Sequence, residues 1–256
     1  MYFSDVMNTH SSHCLNCEQP LAGNYCANCG QKAATHRLSI KHFVEHDVIH
    51  GIWHVDRGIL YTLKHVLTRP GHLAREYVAG KRMGHFSLVT MLLLLVGLFL
   101  FLMSLQHMKL PDIRIGIVGT DITKGSNPLV EVISKYSKWA LLISVPIMGK
   151  ISMDIFKRLK YNYAEHLVMS GYFFTGIVCI LIVFALLYLV PGIIGWPMFV
   201  VELVAIVAYM FVAYKQVLAG SISIGRLLFN MLLYFLAYLG YMAGILFAVV
   251  MVYMML

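Results

Sequence analysis

Two sets of residues in this chain have types and spacings that could do chemistry. Cys14-Leu15-Asn16-Cys17 and Cys26-Ala27-Asn28-Cys29-Gly30 form two CxxC knuckles eight residues apart. A CxxC turn presents two sulfurs to one ion, and two such turns supply the four soft thiolates that zinc takes in a closed tetrahedral site. With all four positions filled by protein, such a site is structural and leaves no position for substrate. The segment is too short to bury a core unaided, so metal binding would supply its folding energy. The expectation is one zinc per chain on Cys14, Cys17, Cys26 and Cys29. A disulfide framework or redox thiols are the alternatives, and a cytoplasmic location disfavours the first. The fifth cysteine, Cys179, lies in an apolar run and reads as a packing residue.

The second set is histidine. His42, His46, His50 and His54 recur every four residues, which on a helix makes one stripe precessing by roughly 40° per step. Val44, Val48, Ile52 and Val55 fall opposite, with Phe43 and Trp53 intruding on the histidine side, so the segment reads as an imperfectly amphipathic helix lying along a membrane surface. With Asp56, and with Glu165 and His166 from far along the chain, these histidines are candidates for a second metal site or for proton handling. Histidine changes charge near neutral pH, so pH-dependent docking is an equal alternative. Beside them, Arg57, Arg69, Arg75, Lys81 and Arg82 are candidates for binding phosphate or lipid headgroups. The blander reading is a basic elbow beside a membrane span, because polybasic stretches are expected there.

These groups must be positioned by a greasy chain. Of 256 residues, 59% are hydrophobic and 12% charged, against about half and a quarter in soluble domains. The net charge of +8 clusters beside apolar runs, which points to anionic membrane lipid and away from nucleic acid. The fold class expected is an all-α polytopic membrane protein with a four-cysteine zinc ribbon and an interfacial amphipathic helix. Residues 1–36 form the ribbon, 37–85 the His-rich and basic juxtamembrane helices (about Leu38–Thr68 and His72–Gly80), and 86–256 the transmembrane domain. About five spans are expected, near 86–106, 136–156, 164–190, 193–212 and 227–256, each near the ~20 residues that cross a bilayer. The second is weakened by Pro146, Lys150 and Asp154.

Lysine and arginine set the orientation. Nine precede the first span, Lys157, Arg158 and Lys160 follow the second, and Lys215 and Arg226 separate the fourth from the fifth. The loop between the first two spans dissents, with Lys109, Arg114, Lys124, Lys135 and Lys138. The reading is a cytoplasmic N-terminus without a signal peptide, and a C-terminus outside. Inside the apolar runs, Glu202, Asn230 and Lys150 are costly in hydrocarbon and are expected to face the bundle interior. Lys150 is the nearest candidate partner for Glu202.

Together these features resemble the DUF3667 family of bacterial membrane proteins. The likeness is carried by the two knuckles with Asn24-Tyr25 and Gln31, and by His54-Val55-Asp56-Arg57-Gly58 through Leu63. It continues in Thr68-Arg69-Pro70-Gly71, Arg75-Glu76-Tyr77 and Gly80-Lys81-Arg82, and later in Tyr163-Ala164-Glu165-His166. It is close over residues 14–100 and patchy beyond. The resemblance implies a zinc ribbon ahead of a helical membrane domain in a bacterial inner membrane, and no particular reaction. No nucleophile motif, HExxH or HxxHH set is present, so the leading functional expectation is a non-enzymatic homo-oligomeric conduit or sensor. A membrane-embedded enzyme acting on lipid through the His/Asp/Glu cluster, and a scaffold recruiting a cytoplasmic protein partner through the ribbon, are the alternatives.

Overall fold

A computed structural model describes residues 12–35, 37–40, 58–109, 128–190 and 196–255. Among the described residues there are seven α-helices and no strand. They are α1 (Ile59–Thr68), α2 (Pro70–Val78), α3 (Leu88–Lys109), α4 (Pro128–Ile155), α5 (Tyr163–Leu187), α6 (Trp196–Leu218) and α7 (Ile224–Met255). Four of them are long and apolar enough to cross a membrane, over Leu88–Leu105, Tyr163–Leu187, Pro197–Leu218 and Ile224–Tyr253. The expectation of five is therefore met for four. Helix α4 runs for 28 residues, but Pro146, Lys150 and Asp154 break the apolar character of its second half. Lys150 and Asp154 pair there at 2.8 Å, one turn apart.

Helix α5 is the hub, packed against α1, α2, α3, α4 and α6, while α7 lies mainly on α4. Its start is encoded locally. Asn162 is extended (ψ 172°) and caps the helix by accepting from the Glu165 amide, while Glu165 reaches back to the Asn162 amide. This reciprocal box satisfies two donors that an α-helix start leaves open. The core beneath it is built of Val168, Met169, Tyr172 and Phe173 on α5 with Met210, Ala213 and Tyr214 on α6.

The pair α1–α2 forms a tight hairpin against α5 and α6. Pro70 disfavours helical geometry at the residue before it, and Arg69 accordingly leaves the helix (φ −143°, ψ 54°). Pro70 then opens α2, where its missing N–H costs nothing. Gly71 lets the hairpin seat on α6: a Cβ there would collide with the Ala213 carbonyl oxygen and the Gln216 side chain. The Gly71 amide donates to Gln216 Oε1 at 2.9 Å. At the other end of α2 the Gly80 amide donates to the Tyr77 carbonyl and the Lys81 amide to Glu76, with Gly80 left-handed at φ 94°. That is a Schellman stop, which favours glycine at this position.

A four-cysteine module latched to the helix bundle

The cysteine segment is two copies of one turn. In the first, the Cys14 amide donates to Gln19, Glu18 to Cys14, and Leu21 to Ser12. In the second, twelve residues on, Cys26 donates to Gln31, Gly30 to Cys26, and Ala33 to Asn24. Each copy has one left-handed residue, Glu18 at φ 63° and Gly30 at φ 76°. Facing each other, the copies bring the sulfurs together, with Cys14 Sγ 3.5 Å from Cys29 Sγ and Cys17 Sγ 3.4 Å from Cys26 Sγ. One ligand atom from each of the four lies within 4.8 Å of the others, and none forms a disulfide.

The donor set fits a metal ion. Tetrahedral thiolate ligation at ~2.3 Å places sulfurs roughly 3.8 Å apart, close to the separations seen. The backbone amide of Gln19 and the Asn28 side chain favour the Cys17 thiolate and lower its pKa to about 6. For Cys29 the Gln31 amide also favours the thiolate, but desolvation and the three neighbouring cysteines outweigh it and raise the pKa to about 11. One thiol is thus poised to ionise and another is held back by its neighbours. A cation at the centre removes that conflict, because metal-bound thiols are deprotonated.

The module is held to the bundle at two places. Gln31 bridges it to the end of α2: its Nε2 donates to the Gly80 carbonyl at 2.9 Å, and its Oε1 accepts from the Arg82 amide at 3.1 Å. Just after the module, Arg37 clasps Glu165 with two bonds, Nε to Oε1 at 2.7 Å and a terminal nitrogen to Oε2 at 2.9 Å. Asn162 adds a bond from its amide nitrogen to the Leu38 carbonyl at 2.9 Å, and Leu38 is buried in the core. Next to Glu165, His166 is buried and shares a 2.8 Å hydrogen bond with Ser152 on α4.

Of the residues singled out by sequence, the four cysteines converge. His42, His46, His50, His54, Asp56 and Arg57 lie outside the described residues. Glu165 and His166 are adjacent at the head of α5 but serve different partners, an arginine and a serine. The basic set has divergent partners. Arg69 pairs with Glu76 at 3.7 Å, Arg82 lies over the Tyr77 ring at 5.6 Å, Arg75 is half-buried, and Lys81 is exposed. Glu202 accepts from the Tyr188 hydroxyl at 3.1 Å. That partner corrects the expected Lys150, which is held by Asp154. Glu202 sits about 9 Å along α6 from Trp196, towards the end of the bundle away from the cysteine module. Asn230 is half-buried on α7.

Sequence reasoning missed Arg37 and His85. Arg37 stood in a polar segment with no motif, 128 residues from its partner. The His85 ring lies 5.8 Å from Tyr61 and 6.1 Å from Tyr77. Its Nδ1 is buried without a hydrogen-bond partner. Burial lowers its pKa below the usual 6.5, with His65 and Arg69 adding to the effect and Glu76 opposing it. No curated protein and no solved structure matches the chain. Residues 56–101 match the family described as a protein of unknown function (DUF3667), so the family likeness falls on the α1–α2 hairpin, the Gly80–Arg82 turn that meets Gln31, and the first part of α3.

Proposed function

We propose that this chain is a non-enzymatic membrane sensor, in which a zinc-bound ribbon is latched to the start of a helix bundle and its state is felt there. The bidentate Arg37–Glu165 clasp carries this reading. It ties the segment directly after the ribbon to a buried carboxylate that also caps α5, the helix on which the bundle is assembled. Loss of the metal would free the ribbon, weaken the clasp and leave a buried carboxylate short of its counter-charge. Both oxygens of Glu165 are engaged in holding the fold, which favours a sensing role over general acid–base chemistry.

In this reading α4 is a fifth span. The end of the bundle bearing the ribbon also bears Lys157, Arg158, Lys160, Lys215 and Arg226, so it faces the cytoplasm, and the C-terminus lies outside a bacterial inner membrane. The exposed apolar face of α7, with Leu228, Leu232, Leu236 and Leu239, meets lipid or a second copy in a homo-oligomer. Glu202, at the opposite end with Tyr188, offers little support for a conduit.

The test is hydrogen exchange on the full chain in lipid nanodiscs, before and after zinc removal by a chelator. Amides of residues 163–170 should exchange faster once zinc is lost, and Arg37→Ala should give that faster exchange with zinc present. Unchanged protection of α5 after complete zinc loss would sink the sensor reading. Fusion of a reporter to the C-terminus tests the topology, since activity only in the cytoplasm requires an even number of spans.

A further inference from the structure

At the end of the bundle where α4 stops and α6 turns into α7, the chain forms an open-mouthed cavity of about 250 Å³. Three cations line it: Lys157 and Arg158 on the short 3-10 turn after α4, and Arg226 on the first turn of α7. Asn230 stands one turn beyond Arg226 on the same face. The inner wall is apolar, formed by buried Phe156 and Leu218 together with Ile155 and Ile222. Phe156 stacks on the buried Tyr214 ring at 4.3 Å.

The nearby acids are occupied elsewhere, Asp154 by Lys150 and Glu165 by Arg37. Among the described residues, no acidic side chain pairs with Lys157, Arg158 or Arg226. Cations gathered round one cavity raise the local positive potential and draw an anion to it. The turn of α7 bearing Arg226 continues upward with Phe229 and Leu233, both exposed and apolar. A cationic mouth opening onto an apolar track matches a molecule with a phosphate at one end and a hydrocarbon chain at the other.

We propose that this cavity binds the phosphate of an anionic membrane phospholipid, with Lys157, Arg158 and Arg226 on the headgroup, Asn230 as a neutral donor, and an acyl chain along Phe229 and Leu233. This site is separate from the cysteine module and from Arg69, Arg75 and Arg82 in and around α2, and it does not depend on the sensor reading. Basic recesses between spans on the cytoplasmic side are a recurrent means of holding anionic headgroups.

The experiment titrates full-length protein in a neutral detergent with three probes: dioctanoyl phosphatidylglycerol, dioctanoyl phosphatidylcholine and inorganic phosphate. Phosphatidylglycerol should bind at one site per chain, at least tenfold more tightly than either other probe. The triple substitution Lys157→Gln, Arg158→Gln and Arg226→Gln should weaken that binding about 100-fold, taking roughly a factor of five per cation near an anionic surface. These cations are exposed, so the variant should keep its melting temperature. Phe229→Ser, which removes apolar surface without adding charge, should weaken binding of phosphatidylglycerol and leave the response to inorganic phosphate unchanged. Equal binding of the two lipids, or undiminished binding by the triple variant, overturns the site. Inorganic phosphate binding as tightly as phosphatidylglycerol overturns the lipid assignment in favour of free phosphate.

Discussion

The Arg37 guanidinium and the Glu165 carboxylate meet through two parallel hydrogen bonds, and the geometry is asymmetric in burial. The carboxylate side chain is 3% exposed and the guanidinium 36%. Each partner therefore has a different alternative. Arg37 released from the clasp can hydrate, whereas Glu165 cannot.

That asymmetry predicts unequal effects of substitution. Arg37→Ala strands a buried carboxylate and should destabilise by about 1–3 kcal/mol, the cost of an orphaned buried charge discounted for the exposure of the pair. Glu165→Gln should cost less, because glutamine retains much of the capping box and its arginine can turn to water. The double variant should melt above Arg37→Ala alone. Thermal melting of the three proteins in detergent decides it, and a double variant no better than Arg37→Ala would show that the clasp contributes little.

The second prediction is one zinc per chain in elemental analysis, lost on Cys14→Ser or Cys26→Ser, the two buried ligands. Because metal binding supplies the folding energy of so small a segment, these variants should also lose protection at Gln31 and Gly80. A purified chain free of zinc, with the module still folded, would falsify the assignment.

Comparison of the two knuckles yields a third prediction. The left-handed position is glycine in the second (Gly30) but glutamate in the first (Glu18). A left-handed side-chain-bearing residue costs roughly 1–2 kcal/mol, part of which glycine returns through the entropy of the unfolded chain. Glu18→Gly should therefore stabilise the module by up to about 1 kcal/mol, read as resistance to a chelator. Faster zinc loss in this variant would contradict the repeat geometry.

A fourth concerns pH. The folded pKa of His85 lies below the usual 6.5, so in acid the unfolded chain binds a proton before the folded one does. Stability must then fall as pH drops below about 6.5, until the folded pKa is reached, and it is constant above that range as far as this group is concerned. Replacing His85 by Phe should flatten the melting temperature between neutral pH and pH 5. An unchanged slope would assign the acid sensitivity to other groups.

The legible parts of this structure were those with local chemical signatures. Paired CxxC turns announced a four-ligand cluster, and runs such as Phe86–Gln106 announced helices long enough to span. Arg37–Glu165 was not legible, because an arginine in a short polar segment carries no periodicity and its partner lies 128 positions on. Glu165 drew attention as a charge at the start of an apolar run, yet its role depended on what lay opposite in space. How the basic residues round α2 are placed was not legible for a related reason. The bonds of α2 are governed by helical phase and by neighbours such as Glu76 and Tyr77, so adjacent basic residues turned to separate partners. The cations that do share a cavity come from two distant turns, and only the closure of α4 against α7 unites them.

The latch also has a timetable. Cys14–Cys29 leaves the ribosome long before α5 exists, and at about 5–20 residues per second the interval between Arg37 and Glu165 is on the order of ten seconds. During that time the finished cysteine turns have no bundle to dock on. The surfaces that Gln31 and Arg37 will occupy appear later, one at the end of α2 and the other at the head of α5. Docking is therefore a two-stage closure in which a segment made before the helices waits for the last of its partners at the head of α5. If the four cysteines hold a metal as proposed, a shortage of it during synthesis would act before the helix bundle has assembled, and its damage would be registered as misassembly of the nascent chain.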